Sequence, residues 1–132
     1  MLKTINDLER IVNSILTTAI KKSEIKYNQL YIDVEPEDIT STILFLKTNS
    51  KCKFRQLIDI TAVDYPQRQK RFKIVYLLLS HENNLRIIIN MNINEKTEVS
   101  SLTKIFPSAN WMEREVFDMY GIKFKDHPNL TR

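Results

Sequence analysis

Nine residues, LRIIINMNI at 85–93, constrain the fold of this chain most: Leu85, Ile87, Ile89, Met91 and Ile93 point one way, while Arg86, Asn90 and Asn92 point the other. Side chains along a strand alternate between faces, so a period of two sustained this far predicts a strand with one covered face. A second apolar run, FKIVYLLLS at 72–80, precedes it across the polar turn HENN. A third, FRQLIDITAV at 54–63, is β-branched and partly alternating, and DYPQRQKR separates it from the second. The spacing predicts three strands in a meander, the first two as a hairpin.

Upstream, Ile5, Leu8, Ile11, Val12, Ile15, Leu16 and Ala19 follow the rhythm of an amphipathic helix, opened by Thr4 with Asp7 at capping-box spacing. Leu30, Ile32 and Val34 alternate with Tyr31 and Asp33 as a short strand. Pro36 suits the first position of a second helix, whose inward stripe is Ile39, Ile43 and Leu46 and whose end falls near Asn49. Helix, strand, helix and then three strands predict an α+β fold, with two helices packed on one face of a mixed β-sheet. Residues 1–97 are read as this core domain. Residues 98–132 are read as a C-terminal segment: a helix, a hard stop and an extended arm.

A chain of 132 residues suits one domain and buries enough surface to fold without staples. Cys52 is its only cysteine, which excludes an internal disulfide, disfavours iron–sulfur ligation and favours a reducing compartment. With one glycine there is no Gly-rich phosphate loop, so flavin and dinucleotide folds are disfavoured. The charge of +4 and pI near 9.2 permit an anionic partner, but the cations are spread along the chain, and nucleic-acid binding is a minor alternative. No apolar run approaches the roughly 20 residues of a bilayer crossing. Asp7 and Glu9 set the amino end apart from a secretory signal or an acid-poor presequence.

The chemistry is concentrated in NWMEREVFDMYGIKFKDHPNL, 110–130. Asn110 and Glu113 stand at capping-box spacing, which predicts a helix from Trp111 to Tyr120 with Gly121 as its left-handed stop. Met112, Val116 and Met119 share one side and Trp111, Glu115 and Asp118 another, while Arg114 and Asp118 are i, i+4 partners. Pro128 keeps His127 out of helical conformation. A solvated charged face is the plain reading. The interleaved aromatic rings point instead to a recognition surface. Glu115, Asp118 and His127 make a poor metal set without a Glu-x-x-His pair, and paired-carboxylate hydrolysis lacks a sugar cleft. Elsewhere, Cys52 between two lysines reads as inert, Asp64 as a turn former, His81 as a turn cap, and RQKR at 68–71 as a solvated hairpin tip.

The stretch WMEREVFDMYGIKFKDHPNLTR resembles the signature of a hydrophilic subunit family of respiratory complex I, lettered C in bacteria and numbered 9 in mitochondria. The likeness rests on Glu113, Arg114, Glu115, Asp118, Gly121, Phe124, His127, Pro128, Leu130 and Arg132 in order and spacing. DITAVDYP at 59–66, RFKIVYLLLS at 71–80 and FPSANWMERE at 106–115 extend it over roughly residues 29–132. The resemblance implies a core subunit of proton-pumping NADH:ubiquinone oxidoreductase, a translocase, in the quinone module of the peripheral arm. It implies no flavin, cluster, metal or catalytic site of its own, and an extended C-terminal segment that wraps the large quinone-module subunit. Hetero-oligomeric assembly with neighbouring peripheral-arm subunits follows, with the membrane reached only through the complex and no nucleic acid bound. Equivalent subunits of plastid-type quinone oxidoreductases and membrane-bound hydrogenases are the alternative. The wording YGIKF and NWMERE leans to the matrix side of the mitochondrial inner membrane, with the cytoplasmic side of a bacterial membrane as the alternative. Members usually continue past the arginine matching Arg132 with a proline- and aromatic-rich tail, and the 132 residues stop there. The interface residues expected are Trp111, Glu113, Arg114, Glu115, Phe117, Asp118, Tyr120, Gly121, Phe124, His127, Pro128 and Arg132. Trp111, Phe117 and Phe124 are expected to fill pockets of the partner.

Overall fold

The structure, a computed structural model, describes residues 4–128. Helix α1, Ile5–Ile15, opens on the expected capping box: the Asp7 N–H donates to Thr4 Oγ1 and the Thr4 N–H to Asp7 Oδ2, each at 3.2 Å. It buries Ile5, Leu8 and Val12 and ends before the apolar rhythm does. The chain turns through 16–19 and enters β1, Ile20–Lys26, an edge strand that the sequence pattern leaves unassigned. Its lysines suit an edge, where charge discourages pairing with other chains. Tyr27 and Asn28, with φ of 53° and 58°, close a two-residue turn into β2, Gln29–Val34.

Pro36 begins a single 3₁₀ turn, Pro36–Asp38, which runs into α2, Ile39–Thr48, capped by Asn49. The three expected strands follow as β3, Gln56–Asp64, β4, Phe72–Ser80, and β5, Leu85–Ile93. The sheet order is β1-β2-β5-β4-β3, with β2 and β5 parallel and every other pair antiparallel. The segment SSLTKIF, residues 100–106, leads from the sheet towards the last helix. It holds the end of β6, Val99–Ser100, and a turn in which the Ile105 and Phe106 N–H groups donate to the Leu102 carbonyl. Helix α3, Ala109–Tyr120, is followed by β7, Phe124–Lys125, which pairs parallel with β6.

One apolar cluster joins Leu8 of α1, Ile43 and Leu46 of α2 and Val116 of α3 to the alternating inward residues of β2, β4 and β5. The α+β class and the mixed sheet are those expected, with α3 on the same covered face as α1 and α2. Val99, Leu102, Phe106, Ile122 and Phe124 belong to that cluster too, so residues after 97 share one core with those before.

Two polar side chains in this frame carry predictions. Tyr76 is fully buried and its hydroxyl has no hydrogen-bond partner among the described residues; burial, then the Glu113 charge, push it well above the usual phenol range. Tyr76→Phe removes an unsatisfied polar atom and keeps the ring, so denaturation should find it unchanged or up to about 1 kcal/mol more stable. Asp64 is not a turn former: Arg71 grips it through Nε and Nη2, at 2.6 and 2.8 Å, and reaches Glu95 with Nη1 at 2.8 Å. The basic run at the hairpin tip is therefore divided, with Arg71 holding the base while Arg68 stacks on Tyr65. The Arg71 hydrogen bonds hold the Asp64 carboxyl below its ordinary value. A lowered folded value adds stability above the unfolded pKa and loses it as pH falls through the folded one. Arg71→Met should therefore lower Tm at neutral pH, and its deficit should shrink as pH drops below about 4.

Candidate functional site

Helix α3 divides the predicted residues into two sets. Ser108, not Asn110, is the N-cap residue, and no side chain caps the helix. Glu113 therefore does not serve the cap. It follows Ala109 and precedes Val116 and Phe117 on the inward stripe, and its carboxylate is fully enclosed. Glu113 Oε1 accepts from Ser101 Oγ at 2.6 Å and Oε2 from the Leu102 N–H at 2.8 Å. The β6–β7 pairing brings that segment beneath the helix: the Val99 N–H donates to the Lys123 carbonyl and the Ser101 N–H to the Lys125 carbonyl, each at 3.0 Å. Burial raises the Glu113 carboxyl above its ordinary value, opposed by the hydrogen bonds from Ser101 and Leu102 and by His127.

The arm closes on the same helix. Gly121 takes φ of 73° and its N–H donates to the Phe117 carbonyl at 2.8 Å, the left-handed stop the sequence predicts. His127, whose ring is enclosed, lies with Nε2 2.9 Å from the Asn110 carbonyl and 4.0 Å from Glu113 Oε1. A carbonyl only accepts, so that nitrogen carries the hydrogen. Phe117 and Phe124 are 7% and 4% exposed, and Tyr120 packs edge-on against Phe72 at 5.9 Å. These rings hold the domain together. They do not stand free to enter a partner, which corrects the expectation for Phe117 and Phe124; Glu113 and His127 are likewise internal.

The outward set is Trp111, 70% exposed, with Arg114, Glu115, Asp118 and Met119 beside it. Arg114 Nε and Asp118 Oδ2 are 3.4 Å apart, the expected i, i+4 pair. Met119 is 75% exposed and belongs here, not with Met112 and Val116 as its spacing suggests. Beside the helix end the surface is hollow over about 690 Å³, edged by Glu98, Lys123, Lys125 and Asp126. Pro128 is exposed, and Arg132 lies outside the described residues, as does Leu130. Among the described residues, no group of three or more His, Cys, Asp or Glu side chains could hold a metal ion, and no helix is long and apolar enough to cross a membrane. Cys52 is buried, and burial pushes its thiol up to about 11. His81 bonds Gln56 through its ring instead of capping its turn. The internal role of Glu113 left one signal in the sequence: a carboxylate at an apolar position of the stripe formed by Ala109, Val116 and Phe117.

The fold and this site define a two-layer α+β domain that locks one helix inward and displays its other side. Residues 32–132 match the family described as respiratory-chain NADH dehydrogenase, 30 Kd subunit. The chain belongs to that family. It is 44% identical over 132 residues to the C subunit of NADH-quinone oxidoreductase from Ruegeria sp. (strain TM1040) and 40% identical over 132 residues to that from Chelativorans sp. (strain BNC1). All of this chain aligns, and it spans 66% of the length of each relative. Among solved structures, the trypsin-resistant fragment (1-134) of Nqo5 superposes with a TM-score of 0.80 at 28% identity, covering 93% of this chain and 98% of that one.

Proposed function

We propose that the chain is a non-catalytic core subunit of a proton-pumping NADH:ubiquinone oxidoreductase, scaffolding the quinone module of the peripheral arm and supporting electron transfer from NADH to ubiquinone. Its partner is the large quinone-module subunit, met by residues 98–132 through the outward stripe of α3 and the adjoining hollow. The observation that carries this reading is a tryptophan left 70% exposed on a helix whose opposite side is fastened by a buried carboxylate. Tryptophan and arginine are the residue types on which interface energy concentrates, and a rigid display lowers the cost of ordering them. The domain sits on the side of the membrane that faces NADH: the matrix side of the mitochondrial inner membrane, or the cytoplasmic side in bacteria such as the relatives named above.

Native electrophoresis of detergent-solubilised membranes, with the chain detected by antibody, tests the proposal. It should run with NADH dehydrogenase activity in one very large complex. Migration as a free monomer while that activity runs in another band would refute it.

A further inference from the structure

We propose that the uncovered face of the five-stranded sheet is a second docking surface and that its occupant is an acidic surface of another polypeptide in the same assembly. The inference rests on the subunit reading above, which supplies the neighbours. All three helices pack on the opposite face, and the strand register lays out this one. One row across β1-β2-β5-β4-β3 reads Glu24, Tyr31, Ile88, Leu77 and Asp59. The next reads Lys22, Asp33, Asn90, Val75 and Thr61.

Val75 and Leu77 stand half-buried in the middle of the face, beside the buried Ile88 and the polar Asn90, and the edges are charged, which is the anatomy of a protein interface. At one end, Lys22, Tyr31, Tyr65, Arg68, Lys73 and Asn92 help line a hollow of about 400 Å³. Asn92 Oδ1 is buried there without a hydrogen-bond partner among the described residues. At the other end Leu79 and Arg86 lie beside Tyr27, which is 89% exposed.

Charge selects the occupant. Among the described residues Lys22, Arg68, Lys73 and Arg86 have no carboxylate partner, and Arg68 only stacks on Tyr65. Lys26 is answered by Glu24 at 3.7 Å, which leaves Asp33 and Asp59 against four cations. A second copy docked by the same face would set these cations against one another. An acidic protein surface answers them while an apolar group covers the half-buried Val75 and Leu77.

Thiol labelling within the intact complex tests this, because Cys52 is buried and introduced cysteines report alone. Thr61→Cys marks the sheet face and Met119→Cys the outward side of α3. Both should react with a maleimide at least tenfold more slowly in the complex than in the free chain. Carbodiimide should also join Lys22 or Lys73 to a carboxylate of a different polypeptide. Protection at residue 119 with free-chain labelling at residue 61 would overturn the sheet-face proposal and leave the subunit reading standing. Failure of the chain to co-migrate with the complex would remove both. Links only to a second copy of this chain, or protection at residue 61 abolished by nuclease, would overturn the acidic-protein assignment.

Discussion

Glu113→Ala should destabilise the free chain by about 3 kcal/mol, roughly 10 °C in Tm, whereas Glu113→Gln should cost less than about 1 kcal/mol. The alanine variant strands the buried Leu102 N–H, removes the acceptor for Ser101 and leaves a cavity between α3 and the 101–102 segment. Glutamine keeps the shape: its carbonyl accepts from Leu102, and its amide donates to Ser101 Oγ, whose own hydrogen turns to Thr103 Oγ1 at 3.0 Å. The comparison carries a pH signature. Burial raises the Glu113 carboxyl, so the folded chain holds its proton more tightly than the unfolded one does. That contribution is complete below the unfolded value of about 4.3 and is lost as pH rises through the folded value. Glutamine does not titrate there. Urea denaturation of both proteins should therefore show wild type losing ground to Glu113→Gln between about pH 4 and neutrality. A difference flat across that range would mean that the Glu113 carboxyl is not an enclosed acid.

The same residue shows where sequence reasoning stops. Asn110 and Glu113 reproduce the spacing of a capping box, and local spacing cannot register that the acid is claimed by Ser101, 12 residues earlier. At α1 the same pattern, Thr4 and Asp7, forms the cap it promises: Asp7 Oδ2 accepts from the Thr4 N–H while Arg10 takes the other carboxylate oxygen. Strands β4 and β5 are legible to the residue, at 72–80 and 85–93, since period-two alternation is a local property of a half-covered sheet. Strand β1 is not, because IKKSEIK lies at an edge, where one neighbour and few buried positions leave little alternation to read. Phe117 and Phe124 escape sequence reasoning for another reason. Composition marks Trp111, Phe117 and Phe124 alike as recognition residues, and only packing shows that the last two are buried while Trp111 faces out.

That distinction sets the second large effect. Trp111→Ala should leave the free chain within about 0.5 kcal/mol of wild type, since the ring is mostly in solvent. In the assembled enzyme it should cost about 2 kcal/mol or more, roughly a thirtyfold loss of association, because a tryptophan at the centre of a docked patch loses both its contact area and its exclusion of water. Arg114→Ala should weaken assembly in the same sense without altering the chemistry of fully assembled enzyme, as should Met119→Lys. Phe117→Ala and Phe124→Ala should behave in the opposite way, lowering the stability of the free chain by about 3–5 kcal/mol and depressing assembly only because less chain is folded. Thermal melts of each purified variant, set against the amount of subunit found with the large complex on native gels, separate the two mechanisms. A tryptophan variant that melts and assembles like wild type would show that the outward side of α3 meets nothing. Loss of assembly at an unchanged melting temperature has no explanation within the chain itself, and would locate the lost free energy at a contact with another polypeptide.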